Sequence, residues 1–211
     1  MMRRFGWWIF GILSVSIGLY PIIYFLIERT FGLLSSKSET LLNDGLWNTA
    51  FYTHIVLGGL ALLVGWTQFN DRVRLSRPAL HRTIGKVYVL AVMASGFSGL
   101  YIAMFATGGL ISILGFASLA IIWLSSTLQS FMAIVRERNV IKHQRLMVYS
   151  YAATFAAVTL RIWLPILIGI FGEFLPAYQM VAWMCWVPNL AVAYLIVRKM
   201  DFSKTIIAKT A

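Results

Sequence analysis

Acidic side chains are scarce in this chain: 7 Asp and Glu stand against 18 Lys and Arg in 211 residues, and only 12% of the chain is charged. A soluble domain carries about 25%. The lone cysteine, Cys185, excludes an intramolecular disulfide and any zinc or iron–sulfur site built from several cysteines. There is no phosphate-binding glycine loop, no HExxH, no GxSxG and no paired carboxylate, which weighs against an intramembrane hydrolase. Long polar segments, low-complexity tracts and repeats are also missing. What the chain has instead is apolar surface, with 60% hydrophobic residues and a mean hydropathy of +0.79. A secreted disulfide scaffold, a disordered tail and an ordinary cytosolic enzyme are all excluded, and an integral membrane protein remains.

Crossing a hydrocarbon core of about 30 Å takes roughly 20 apolar residues in a helix. Phe5 to Ile27 carries no charge and lacks a small-residue cleavage site, so it reads as an uncleaved first span. A second runs from about Leu46 to Phe69 and holds one ionisable residue, His54. The uncharged run Val87 to Val135 is far too long for one crossing, and Thr107-Gly108-Gly109 is the turn that splits it into a third and a fourth span. A fifth extends from near His143 to about Ile170, interrupted by Arg161 and Pro165, and a sixth from Phe174 to Val197. The expectation is an all-α integral membrane protein with six transmembrane helices, a single membrane domain over residues 1–211. Spans two to five, residues 46–171, form an antiparallel four-helix core, and residues 1–45 and 172–211 supply flanking spans and loops.

Cytoplasmic loops retain Lys and Arg. Arg3 and Arg4, then Arg72, Arg74, Arg77 and Arg82 with Lys86 at the foot of the next helix, fall on one side. So do Arg136, Arg138, Lys142 and Arg145, and the tail residues Arg198, Lys199, Lys204 and Lys209. The opposite side has only Arg29 and Lys37, beside Glu28, Glu39, Asp44 and Glu173. Every loop agrees, which places both termini on the cytoplasmic side of a cell membrane. The net charge of +11 is then a topology signal; the lipid bilayer is the expected partner, and nucleic acid is not. Trp7, Trp8, Trp47 and Trp163 fall near span ends, where amphipathic rings favour the headgroup level.

Polar groups inside a bilayer are costly, so each is a functional candidate. On the fifth span His143, Ser150, Thr154 and Arg161 lie within about 20° of one line at 100° per residue. His54, Gly58, Ala61, Gly65 and Gln68 make a second stripe, on span two, whose small residues admit a neighbouring backbone or a flat ligand. The third span lines up His81, Gly85, Tyr88, Ser95 and Gly99, and the fourth adds Ser118, Ser125 and Gln129. The first and sixth spans lack such stripes and are expected to pack outside, with Cys185 as packing. Depth divides the lining: Gln68, His81 and His143 sit near cytoplasmic helix ends, His54 and Arg161 toward the outer ends. His54 and Gln68 are about 21 Å apart along the axis, so the three histidines cannot share one metal.

The stretch Lys142 to Pro165, KHQRLMVYSYAATFAAVTLRIWLP, joins His54 and the run His81-Arg82-Thr83-Ile84-Gly85-Lys86-Val87-Tyr88 in one pattern. That pattern resembles a bacterial family of uncharacterised membrane proteins, domain of unknown function 2306. The resemblance covers roughly Trp47 to Leu167 and leaves out the first and last spans. Where the family has Trp-Met after the fifth-span histidine region, this chain has Leu146-Met147. The resemblance implies a membrane protein and supplies no activity.

Three functional readings stay open, with enzymatic activity undecided and protein partners unassigned. One is a redox cofactor, haem b being the chemical candidate, between His81 and His143, with Arg82 and Arg145 paired to propionates. The second is a quinone or other small-ligand site, or a transport path, in a pocket of His54, Arg161, Gln68, Tyr88, Ser150 and Thr154. The third is a structural or accessory subunit in which these groups serve packing.

Overall fold

The computed structural model describes residues 2–27 and 31–210, with side chains described for 5–27 and 31–200. Glu28 and Arg29, and the side chains of Arg3, Arg4, Lys204 and Lys209, therefore lie outside the described residues. Six helices are long and apolar enough to cross a membrane: Phe5–Leu26, Gly45–Phe69, Pro78–Ala103, Leu110–Val135, Val140–Phe171 and Phe174–Met200. No strand occurs among the described residues. Bulky side chains such as Trp8, Leu26, Leu90 and Ile170 point outward, as a lipid-facing surface requires.

Local chemistry sets the helix ends. Asp44 accepts from the Trp47 N–H at 2.8 Å and starts the second span, and Asn139 accepts from the Lys142 N–H at 2.9 Å and starts the fifth. The third span opens at Pro78, where a missing N–H costs nothing. It thus begins about two turns before the uncharged run does, so His81, Arg82 and Lys86 ride on the helix and not in a loop. Long basic side chains at a helix end reach back to the interface, and charge therefore does not end a span. Gly109, at φ 67°, makes the turn into the fourth span.

Two spans are broken. The fifth divides into Val140–Thr154 and Ala156–Phe171; the break falls at Phe155, and Pro165 lies inside the second segment. Thr154 Oγ1 donates back to Ser150 O at 3.0 Å, a bond that bends helices. The sixth divides at Cys185 and Trp186, because Pro188 has no N–H to continue the ladder. Asn189 Nδ2 and Thr159 Oγ1 both donate to the Cys185 carbonyl, fastening the sixth span to the fifth.

Spans two, three, four and five pack in a ring, each on the next and the fifth back onto the second. The first lies on the second and touches the fifth; the sixth lies on the fifth and fourth. The first and second cross backbone to backbone: a Cβ on Gly59 would fall 2.6 Å from Gly18 O. The end of the bundle that carries residues 72–86 and 136–145 is the basic end. At the far end, the connection from Phe31 to Asp44 folds over the bundle and buries Leu34. Ser36 Oγ meets Thr107 Oγ1 at 2.9 Å, and Lys37 Nζ donates to Phe105 O at 2.5 Å and Thr107 Oγ1 at 3.0 Å. These bonds strap the connection to the turn between spans three and four. Trp47 is not an interfacial belt residue: it is 2% exposed and stacks on Phe51 at 5.2 Å.

Candidate ligand cavity

At mid-bundle, hydroxyl groups from three helices close a network. Trp123 Nε1 donates to Thr154 Oγ1 at 2.8 Å, Thr154 donates to Ser150 O, and Thr127 donates to Trp123 O at 2.7 Å. The Thr127 proton being used there, the 2.6 Å contact between Thr127 and Ser150 runs from Ser150 to Thr127. Tyr88 then gives its proton to Ser150 or Thr154, at 2.7 and 2.8 Å. Every proton has a place, and Tyr88, Thr127 and Ser150 are fully buried. Tyr151 adds ties to the first and second spans through Ser14 Oγ and Leu62 O, both at 3.0 Å.

Above this layer, toward the far end, the interior opens into a cavity of about 230 Å³ bounded by all six spans and the Phe31–Asp44 connection. Thr154 and Trp123 form its floor, Leu34 and Lys37 its roof, and its walls are mostly apolar, with Phe51, Leu62, Leu119 and Leu160 among them. His54 and Arg161 both line it. They stand about 14 and 15 Å from the far ends of their helices at 1.5 Å per residue, near enough for their charges to interact.

His54 is oriented by Ser95. Ser95 Oγ donates to His54 O at 2.8 Å, so its proton is spent. Nδ1 of His54, 2.9 Å from Ser95 O and 3.2 Å from Ser95 Oγ, therefore carries the ring proton, and Nε2 offers a lone pair. No Cβ fits on the opposite wall: one built on Gly99 would lie 2.7 Å from Nδ1. Ser130 and His143 repeat the arrangement between spans four and five: Ser130 Oγ donates to His143 O at 3.0 Å, and His143 Nδ1 lies 3.0 Å from Ser130 O.

Arg161 donates from Nη1 to its own helix at Ala157 O, 2.9 Å, and its Cζ lies 4.2 Å from the Tyr20 ring centroid, a cation–π distance. Its Nε is buried with no hydrogen-bond partner, as is Trp47 Nε1 on the same cavity wall. Lys37, at the roof, is partly withdrawn from water, and burial lowers its ammonium to about 8.

Of the residues expected to form a pocket, the fold brings His54, Arg161 and Thr154 to the cavity and sets Tyr88 and Ser150 directly beneath its floor. Gln68 is elsewhere: its amide oxygen packs against Gly85 near the basic end, about 21 Å along the helix from His54. There it neighbours the face of the third span that carries His81. His81 lies close enough to His143, Arg74 and Arg82 to feel their charge, and its Nδ1 is buried without a partner. Arg82 is exposed and Arg145 partly buried. Among the described residues no group of three His, Cys, Asp or Glu could hold a metal.

The sequence reading missed several contributors. The first span supplies Tyr20 and Tyr24 to the Arg161 environment and the sixth brings Tyr178 and Cys185 to the cavity wall, so the flanking spans complete the site and do not merely cover it. On the fourth span, Gln129 is exposed and Ser125 bonds its own Ile122 O at 3.2 Å; the interior face is Trp123, Thr127 and Ser130. Their i, i+4, i+7 spacing carried that signal, but a hydroxyl can satisfy itself on any face of a helix, so serine patterns alone mislead.

A family model described as "Predicted membrane protein (DUF2306)" matches residues 51–197. The match reaches through most of the sixth span, beyond the extent the motifs suggested. No curated protein and no solved structure gives a significant match.

Proposed function

The chain belongs to the DUF2306 family of predicted membrane proteins, and we propose that it binds an amphiphilic small molecule inside the bundle. The oxygen-bearing head, a quinone carbonyl or a carboxyl, lies between His54 and Arg161, and the apolar part fills the cavity toward Leu62 and Leu119. One observation carries this reading: two costly intramembrane groups from helices far apart in sequence line one apolar cavity of about 230 Å³. An engineered cavity of about 150 Å³ admits benzene, so the space suits a somewhat larger molecule. The concentration of basic residues at one end supports a topology with that end, and both termini, in the cytoplasm and the cavity in the outer leaflet of a cell membrane.

The test is thermal unfolding of the full-length protein in lipid nanodiscs with octanoate, octan-1-ol and a tail-less ubiquinone analogue as probes. At least one should raise the melting temperature saturably, and Ala120→Phe, which fills the cavity, should remove the effect. Probes that shift neither protein, or both equally, sink the reading.

A second reading, a b-type haem at the basic end, has one observation in its favour. His81 and His143 are within electrostatic reach, and the Nδ1 of His143 is held by Ser130, which leaves Nε2 disposed as in metal-ligating histidines. Arg82 and Arg145 would take the propionates. Oxidised and dithionite-reduced visible spectra decide it: a Soret band lost in His143→Ala supports haem, and a colourless protein from haem-supplemented cells eliminates it.

A further inference from the structure

We propose that the cavity takes a medium-chain carboxylic acid, with the carboxyl group held between Arg161 and His54; this rests on the reading of the cavity as a ligand site. Three polar groups on its wall lack partners among the described residues, and they are of complementary kinds. Arg161 Nε and Trp47 Nε1 are buried donors without an acceptor. His54 Nε2 is the reverse, a lone pair to which no described residue donates, because Nδ1 holds the proton against Ser95 O.

Charge sharpens the requirement. A guanidinium stays protonated throughout the accessible pH range. None of the six spans contains Asp or Glu. The ion pairs among the described residues, Arg74 with Asp71 and Lys142 with Glu137, stand at the basic end. The cavity thus presents a cation, a spare N–H and a bare imidazole nitrogen inside apolar walls, with Lys37 as a second cation at the roof.

A carboxyl group satisfies all of these. Its O–H faces His54 Nε2, and its oxygens accept from Arg161 and Trp47. Passing the O–H proton to Nε2 leaves a carboxylate between an imidazolium and a guanidinium, with every atom and charge conserved. An oxidised quinone has acceptors only and leaves Nε2 without a donor. An alcohol donates to Nε2 but brings no negative charge to Arg161. Scaling from benzene in about 150 Å³ gives roughly nine heavy atoms, the size of octanoic acid.

The experiment is equilibrium dialysis of radiolabelled octanoate against the full-length protein in nanodiscs, with empty nanodiscs as the blank. One saturable site is expected, for which methyl octanoate and octan-1-ol compete at least about tenfold more weakly than unlabelled octanoate. Arg161→Leu should weaken octanoate by about tenfold or more and Arg161→Lys should recover part of the loss, as expected for a charge-assisted contact. Trp47→Phe, a conservative change, should weaken it by about threefold while the protein melts as wild type. Ester or alcohol competing as well as octanoate would overturn the carboxylate assignment and leave the ligand cavity standing. Saturable binding by none of acid, ester, alcohol or quinone analogue would remove both. Glu28 follows the first span in sequence and is one of the far-end acids, with Glu39, Asp44 and Glu173, so Glu28→Gln serves as a control: binding unchanged supports the proposal, and binding seen only in that variant identifies Glu28 as the counter-ion and overturns it.

Discussion

Two levels of the same helix bundle treat buried polar groups in opposite ways. Around Tyr88, Ser150 and Thr127 every donor meets an acceptor and nothing is left over. About three to four turns further toward the far end, Arg161 Nε and Trp47 Nε1 have no partner, and the helices part around a cavity. In a medium without water an unmade hydrogen bond is a cost, so the first level is closed by its own bonds and the second carries the polar groups that the proposed ligand would satisfy. Gly65 and Gly58 show the same contrast. A Cβ on Gly65 would meet the Tyr151 and Tyr88 rings at 2.5 and 2.8 Å, whereas the one on Gly58, at the cavity, meets only the Ser95 hydroxyl at 3.0 Å and the Trp123 ring edge at 4.0 Å.

The largest effect expected within this contrast is Gly65→Ala. Neither tyrosine ring can retreat without leaving its hydrogen bonds, and overpacking of this kind costs about 1–3 kcal/mol. Unfolding by SDS titration in mixed micelles should show it, while Gly58→Ala should cost clearly less; equal losses would erase the distinction between the levels. Next comes Tyr88→Phe, which deletes one donor from the closed network and should cost about 1 kcal/mol, in the range of interhelical hydrogen bonds in membranes. An unchanged stability would mean that the network contributes packing alone.

Lys37 sharpens the comparison at the roof, with the smallest effect. Burial lowers it to about 8, from 10.5 in the unfolded chain. Between those values the unfolded chain binds the proton more than the folded one does, so this group's contribution to stability rises with pH across that window and its penalty is fullest below it. Relative to Lys37→Met, the wild-type melting temperature should therefore climb between pH 8 and 10. A constant difference across that range would show that the amine titrates normally.

Much of the fold is legible from the pattern of charges and apolar runs. The number of crossings and the division of the uncharged run at Gly108 and Gly109 follow from bilayer thickness and backbone permissiveness, which act on local stretches. Boundaries were less legible where basic side chains sit on a helix, as at His81, Arg82 and Lys86. Cavity-lining residues were legible when single and costly: His54 and Arg161 announce themselves because hydrocarbon tolerates few such groups. Gln68 joined them only through a shared helix face, and a face 21 Å long spans two different environments.

Composition and periodicity by themselves determined a six-helix membrane protein with a polar-lined interior and a basic end, since each depends on residues close together in the chain. Only the tertiary structure decided which polar groups find partners. Trp47 is buried and not interfacial because Phe51 stacks on it. Arg161 faces Tyr20 because the first span lies against the core. Cys185 reaches the cavity wall because the sixth span breaks beside it. Hydrogen-bond satisfaction and cavity closure are sums over helices far apart in sequence, and no local pattern encodes them.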